Sequence, residues 1–439
     1  MPQAKIDAAP LVLLNKGASK CAEGLEAFHT TRLQLHFGVG FFFAILISIF
    51  AFNAIWWLVA NRLARHSGWR HLHTAFMLVQ VGGLIWLLVG RLLRTGWDQY
   101  MPKIIAVALL LWHMLVLPIL VIILIAAAPI IAVLALVKLF GRRDEPRIAR
   151  IPLQGQSQAT WSRRRFLGFA SAAVPPLVTI SLTGVAMRQL NGFRIRRLVL
   201  PIENLPSDLH GTTIAQVSDM HVGRYTRGQV LRDVVNETNN LRADLVLLTG
   251  DLINDALASL DHGLELVRAM QGRFGVYLIE GNHDLIENGE EFEQRVKASG
   301  IPFLLDEAAI VSVRGTPVQL FGLSWTRTHE NRDRAIAASV QELLAQRQPE
   351  AFPILMAHHP HAFDAAADAA IPLTLSGHTH GGQLMLNEKL GFGPAMFRYW
   401  SGLYTKGASK LIVSNGVGNW YPLRINAPAE IIHLTLVRA

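Results

Sequence analysis

From Ile104 to Val137 the chain contains no Asp, Glu, Lys or Arg. No other feature narrows the possible folds as far. In lipid, a segment this long and apolar must satisfy its own backbone N–H and C=O groups, which it does as a helix. At about 1.5 Å per residue it is longer than the roughly 30 Å hydrocarbon core requires. Pro118 and Pro129 lie inside it, so it is read as one tilted or protruding helix, with a hairpin of two short helices as the alternative. Three further apolar stretches accompany it: Phe37–Ala60, Thr74–Gly90 and Phe166–Met187, the last interrupted by Pro175-Pro176. Residues 1–190 are therefore expected to form a membrane region of about four transmembrane helices, consistent with a hydrophobic content of 51%.

Basic residues give these stretches a direction. Arg62, Arg65 and Arg70 separate the first two, and Arg142, Arg143, Arg147, Arg150 and Arg163–Arg165 separate the last two. Loops rich in Lys and Arg stay in the cytoplasm. The weaker set Arg91, Arg94 and Lys103 then falls on the other side, and four crossings leave the second half of the chain outside the cytoplasm. A bacterial inner-membrane, multi-pass protein with an extracytoplasmic domain is the expectation. Ser162-Arg163-Arg164-Arg165-Phe166-Leu167 resembles a twin-arginine export signal with Gly168 in place of the usual Lys. A membrane helix with a basic collar is an equal reading of it, and both readings export the second half of the chain.

Residues 1–199 carry 22 Lys+Arg against 6 Asp+Glu, whereas residues 200–439 carry 19 against 26. The net charge of +9 therefore belongs to the membrane half. The acidic second half lacks the clustered cations of a nucleic-acid surface, so no nucleic-acid partner is expected. Cys21 is the only cysteine, which excludes an intramolecular disulfide and a thiolate metal site.

Beyond residue 190 the pattern changes to short apolar runs alternating with polar helical segments. Arg197–Pro201, Thr213–Val217, Asp244–Leu248, Gly275–Ile279, Val318–Leu323, Pro353–Met356, Leu373–Leu375, Leu411–Val413 and Ile431–Leu436 read as strands. Gln229–Leu241, Leu257–Met270, Glu290–Ser299, Asp333–Gln346 and Phe363–Ala370 read as helices. Such alternation makes an α/β domain, whose ligands gather at the carboxyl ends of strands.

The polar clusters fall at those ends. Asp219 and His221 follow Thr213–Val217, and residues two apart on an extended segment point the same way. Asp251 follows Leu245–Leu248 and has two oxygens with which to bridge two ions. Asn282 offers an amide oxygen after Tyr277–Ile279, and His358, His378 and His380 offer ring nitrogens. Gly250, Gly281 and Gly377 adjoin these residues. His359 and His361 read as structural, and His36, His66, His71, His73 and His113 read as packing in or beside the membrane stretches.

Taken in order, these blocks (D-x-H, G-D, G-N-H-D, H and G-H-T-H) resemble the calcineurin-like metallophosphoesterase family from about residue 205 to the C-terminus. The Ser376–Gln383 turn and the tethered layout resemble its bacterial membrane-anchored or exported branch. The resemblance implies a four-layer αββα sandwich over residues 191–439 and two divalent ions, Mn, Fe, Zn or similar. It implies a first ion on Asp219, His221, Asp251 and His380, and a second on Asp251, Asn282, His358 and His378. It implies attack on phosphorus by a hydroxide shared between the ions, with His283 as the catalytic residue that stabilises the transition state or protonates the leaving group. Asp219 and Asp284 are candidates to orient His283. Arg424 matches a C-terminal P-x-R element, near the substrate phosphate or in a structural salt bridge.

The expected function is hydrolysis of a phosphate monoester or diester by a membrane-anchored dinuclear enzyme. Its expected partners are a phosphoester substrate near the membrane and the bilayer itself, with no obligate protein partner. A metal-binding membrane sensor or scaffold is the alternative. A transporter is disfavoured, because the apolar stretches carry almost no polar residues for a substrate path.

Overall fold

A computed structural model describes residues 43–65, 67–93, 100–140, 163–190, 192–325, 332–387 and 389–439. Residues 37–42 of the first apolar stretch, Arg142–Arg150 and Ser162 of the arginine motif lie outside the described residues.

Among the described residues, four helices are long and apolar enough to cross a membrane: α1 (Phe43–Leu63), α2 (Trp69–Gly90 of a helix that runs to Leu92), α3 (Lys103–Val137) and α4 (Phe166–Gln189). Two of them depart from expectation. α2 begins at Trp69, not Thr74, so His71 and His73 belong to the helix and the span is of full length. α3 is one helix and not a hairpin. It passes through a π-helical turn, Trp112–Val116, just before Pro118. Pro118 has no N–H to offer the preceding turn, and in the widened turn the Leu117 N–H bonds the Trp112 carbonyl. Trp112 is fully buried there, and its indole N–H donates to Asn53 Oδ1 at 2.9 Å. α4 runs unbroken through Pro175 and Pro176.

Contacts divide the chain into two units, with the divisions falling inside three of these helices. One unit takes the residues up to Leu88 and Leu111–Thr179. The other takes Val89–Leu110 and Ile180–Ala439, so the first residues of α3 and the last of α4 belong with the α/β domain.

Among its described residues, that domain holds two large sheets and one small one. The first contains β1 (Phe193–Ile202), β2 (Thr213–Val217), β3 (Leu245–Thr249), β4 (Val276–Ile279) and β13 (Ala429–Arg438) in the order β1-β13-β2-β3-β4. The second contains β5 (Glu307–Val313), β6 (Thr316–Leu323), β7 (Phe352–Ala357), β8 (Leu373–Ser376), β11 (Gly402–Lys406) and β12 (Ser409–Val413) in the order β11-β12-β8-β7-β6-β5. A short β9–β10 pair (Met385–Asn387 and Leu390–Gly391) stands apart. Within β2-β3-β4 and within β12-β8-β7-β6 adjacent strands run parallel; β13 is antiparallel to β2, and antiparallel β5 and β11 close the second sheet.

Alternation along β3 shows why the sheets stack. Leu245 and Leu247 face the other sheet, where they meet Leu320, Ile354, Met356 and Leu375. Val246 and Leu248 face the opposite way, toward Leu231 and Val234 of a helix over Gln229–Asn240 and Phe292 and Val296 of one over Gly289–Ala298. On the far side of the second sheet, Phe321 and Leu355 pack against Ile336 and Val340 of the helix Arg332–Leu344. The layers are helix, sheet, sheet, helix, as the resemblance implied. Phe292→Ala removes a fully buried ring from the first core. It is expected to lower stability by about 3–5 kcal/mol, read as a lower melting temperature of the detergent-solubilised protein.

Candidate metal centre

Five parallel strands end on one rim. Asp219 and His221 follow β2, Asp251 follows β3, and Asn282 and His283 follow β4. His358 follows β7, and His378 and His380 follow β8. The two sheets are tied at this rim, where Gln216 Nε2 donates to the Ser376 carbonyl at 2.9 Å and His358 Nδ1–H to the Thr249 carbonyl at 2.7 Å.

The structure brings together all seven residues named for the metals, along with His283. His380 Nε2 lies 3.2 Å from Asp219 Oδ1 and 3.0 Å from His221 Nε2. His221 Nε2 lies 3.5 Å from Asp251 Oδ2, and His358 Nε2 approaches that same oxygen to 3.1 Å. Asp251 Oδ2 thus stands between two groups, Asp219–His221–His380 on one side and His358–His378 on the other. His378 Nδ1 lies 2.8 Å from Asn282 Oδ1, which adds the amide oxygen to the second group. Two imidazole nitrogens 3.0 Å apart need a proton or a cation between them. The donors are carboxylates, imidazoles and one amide oxygen, a set that suits borderline divalent ions.

The backbone is bent to make this happen. Asp219, His221, Asp251, His378 and His380 all have positive φ, between 45° and 73°. Non-glycine residues enter this region at a cost, and they cluster at functional sites. Space is equally tight. A Cβ at Gly281 would collide with the Asp251 carboxylate, and one at Gly377 with Ser218 Oγ and the Asp219 carboxylate.

Burial sets the electrostatics. It disfavours ionisation of Asp219 and Asp251, but His380 beside the first and His358 beside the second outweigh it, and both carboxyls lie below their usual range. Burial alone would lower His358; Asp251 reverses this and raises it to about 9. Burial, with help from His358, lowers His378 to about 3.

Four arrangements escaped the sequence reading. Neither Asp219 nor Asp284 orients His283. Its Nδ1–H donates to the Asn254 carbonyl at 2.6 Å, and a main-chain acceptor leaves no side-chain signal to find. Asp284 instead accepts the amides of Ile253 and Gly281, each at 2.9 Å. Burial, reinforced by Asp251, pushes its carboxyl well above the usual range. Arg424 forms hydrogen bonds where a structural salt bridge was one expectation. Fully buried, it donates to Asn419 Oδ1, to main-chain carbonyls that include Asn415 and Gly418, and to His380 Nδ1 at 3.0 Å. A guanidinium only donates, so Nδ1 accepts and the ring is fixed with Nε2 toward Asp219. His359, read as structural, lies against His378 with ring centroids 5.2 Å apart. Trp325 covers both, at 5.4 Å and 5.0 Å.

Residues 212–382 match the family described as calcineurin-like phosphoesterase. The chain carries a calcineurin-like phosphoesterase domain. Relatives extend the match. A transmembrane protein with metallophosphoesterase domain from Danio rerio is 31% identical over 248 residues, 55% of this chain and 56% of that protein. The uncharacterized metallophosphoesterase YkuE of Bacillus subtilis is 29% identical over 290 residues, 63% of this chain and 97% of that protein. Phosphodiesterase YaeI of Escherichia coli is 26% identical over 231 residues, 50% of this chain and 80% of that protein. The chain thus spans little more than half the length of the Danio rerio protein. In the phosphoesterase domain, Gly281→Ala is expected to weaken Mn²⁺ binding by about 10–100-fold through displacement of Asp251. Titration calorimetry measures this, with circular dichroism as the check that the fold survives.

Proposed function

We propose that this protein is a membrane-anchored, dinuclear metal-dependent phosphoesterase whose membrane region is residues 1–190 and whose catalytic domain is residues 191–439. The observation that carries the reading is Asp251 Oδ2, placed within 3.5 Å of His221 and 3.1 Å of His358 and so shared by two donor sets. Asp219, His221, Asp251 and His380 would hold one divalent cation, and Asp251, Asn282, His358 and His378 the other. Such a pair supplies Lewis acidity toward water and neutralises charge on the phosphoryl oxygens.

The chain's own residues do the rest. Arg424 and the Thr249 carbonyl hold the His380 and His358 rings in fixed orientations. Asn254 holds Nδ1 of His283, so Nε2 is the atom left to act. As imidazolium it donates a proton to a leaving oxygen; as the neutral ring it accepts one. The His283 ring packs edge-on to His221, with centroids 4.6 Å apart, beside the donor set it would serve. The name of the Escherichia coli relative, a phosphodiesterase, supports a diester as substrate. The domain is assigned to the extracytoplasmic face of a bacterial inner membrane, on the distribution of Lys and Arg between the loops.

Asp251→Asn and His378→Ala are expected to reduce hydrolysis of bis-p-nitrophenyl phosphate by about 10²-fold or more. A chelator should abolish it, and Mn²⁺ or Zn²⁺ should restore it in the wild type alone. Hydrolysis that persists at full rate in Asp251→Asn, or after removal of metal, defeats the reading.

A further inference from the structure

The ends of two of the long apolar helices meet the phosphoesterase domain close together, α4 at the loop Asn419–Asn426 and α3 at Tyr225, whose neighbour Thr226 bonds that loop. Gln189 closes α4, and its Oε1 accepts the Asn426 amide at 3.0 Å. The next carbonyl, of Leu190, accepts from Asn419 Nδ2 at 3.0 Å. Lys103 opens α3, and its Nζ donates to the Tyr225 carbonyl at 3.2 Å. Thr226 then accepts the Asn419 amide at its hydroxyl, at 2.7 Å. The same loop reaches the metal site. Trp420 lies 5.4 Å from His283, ring to ring, and Arg424 holds His380. This loop therefore links the candidate metal centre directly to the end of α4, and through Tyr225-Thr226 to the start of α3.

Beside this loop stands an apolar projection. Asn426 Nδ2 donates to the carbonyls of Met385 and Leu386, at 2.9 and 3.2 Å, and so binds the β9–β10 pair to the end of α4. Met385 is buried and anchors the projection. Leu386 is 75% exposed, Leu390 57%, Met396 67% and Phe392 37%. Four large apolar side chains exposed within eleven residues require a cover, because soluble surfaces rarely carry such patches. The segment continues directly into Phe397, whose ring lies 6.1 Å from His378. On the other flank of the loop, the exposed Arg227 and the half-buried Arg224, which lies over the Tyr225 ring, add positive charge beside Lys103.

Continuity with the span ends says what covers the patch. We propose that Leu386, Leu390, Phe392 and Met396 are embedded in the leaflet where α3 begins and α4 ends, and that the substrate is the phosphoester headgroup of a lipid drawn from that leaflet. The acyl chains remain in the bilayer while the headgroup passes Trp420 and Phe397 to reach the metals. The arginines and Lys103 attract anionic headgroups to this margin. The inference rests on the phosphoesterase reading and names its substrate class.

The test uses full-length protein in vesicles of phosphatidylethanolamine, phosphatidylglycerol and phosphatidic acid. Headgroup or phosphate release is measured beside hydrolysis of soluble bis-p-nitrophenyl phosphate. The variant Leu386→Glu/Leu390→Glu/Met396→Glu is expected to hold its soluble activity within about twofold and to lose about tenfold or more on vesicle lipid, since charge resists entry into the interface. Because Cys21 is the only cysteine, Cys21→Ser/Leu390→Cys carries a single fluorophore. Bilayer-resident spin-labelled lipid should quench it, and should not quench the same label at Ile310→Cys on β5. No lipid hydrolysis by the wild type, equal loss on both substrates, or an unquenched label at position 390 overturns the inference. If the wild type cleaves the soluble ester and spares lipid, the phosphoesterase reading stands and this inference alone falls. If it cleaves neither, both fall.

Discussion

One carboxylate organises the whole rim. Asp251 accepts the His283 amide at 2.8 Å with one oxygen and presents the other to His221 and His358. It sits on a left-handed residue at the end of a strand buried along its full length. A buried carboxylate is expensive unless its charge is answered from every side. Here the answers come from both sheets. Each sheet must therefore stop at the right length and at the right height above the shared core, so the requirement on one side chain becomes a requirement on the packing of the sandwich.

The left-handed residues arise from the same demand. Strand ends naturally point side chains along the strand or to alternate faces, not inward at a common point. A positive φ at Asp219, His221, Asp251, His378 and His380 turns each chain sharply enough to aim its side chain at the centre. Each such residue costs of order 1–3 kcal/mol. Hydrogen bonds made by the turns themselves offset part of it: the Asp219 amide reaches the Gly250 carbonyl at 3.0 Å and the His221 amide reaches the Asp251 carbonyl at 3.1 Å. Cations bound by these donors would offset the remainder without changing the backbone.

Much of this is legible in the amino-acid order alone. Hydrophobic period and length mark β2 to the residue and place the other strands that carry site residues within about one residue, because buried parallel strands are short, uninterrupted apolar runs. The edges are less visible. β5, Glu307–Val313, alternates exposed and buried positions and is diluted by Ala308 and Ala309, so it lacks a strong run. β11 carries Lys406 and Thr405 on an exposed edge, and its sequence reads as loop. The start of α2 is hidden by His71 and His73, polar residues that a helix accommodates without breaking. At the site, side-chain chemistry is legible and main-chain chemistry is not. Asp219, Asp251 and the histidines announce themselves by type and spacing; the Asn254 carbonyl that fixes His283 exists only once the loop is folded.

Arg424 shows how a residue with no chemistry of its own joins distant parts. Its guanidinium is buried and hydrogen-bonded mainly to carbonyls, and burial, partly opposed by Asp219 and Glu430, lowers it to about 10, which leaves it a cation near neutrality. Every N–H it owns is a geometric restraint, and these restraints run to Asn415, Gly418, Asn419, Ala427 and His380. Asn419 in turn is bonded to Leu190 and Thr226. A displacement of the α4 end therefore cannot be absorbed locally by a slack loop, because the loop is saturated with hydrogen bonds. It must either break several buried polar contacts at once or be carried to the imidazole of His380. The chain thus couples the end of α4 to a side chain of the candidate centre through a few bonds of about 3 Å, so this helix end is part of the site's scaffold.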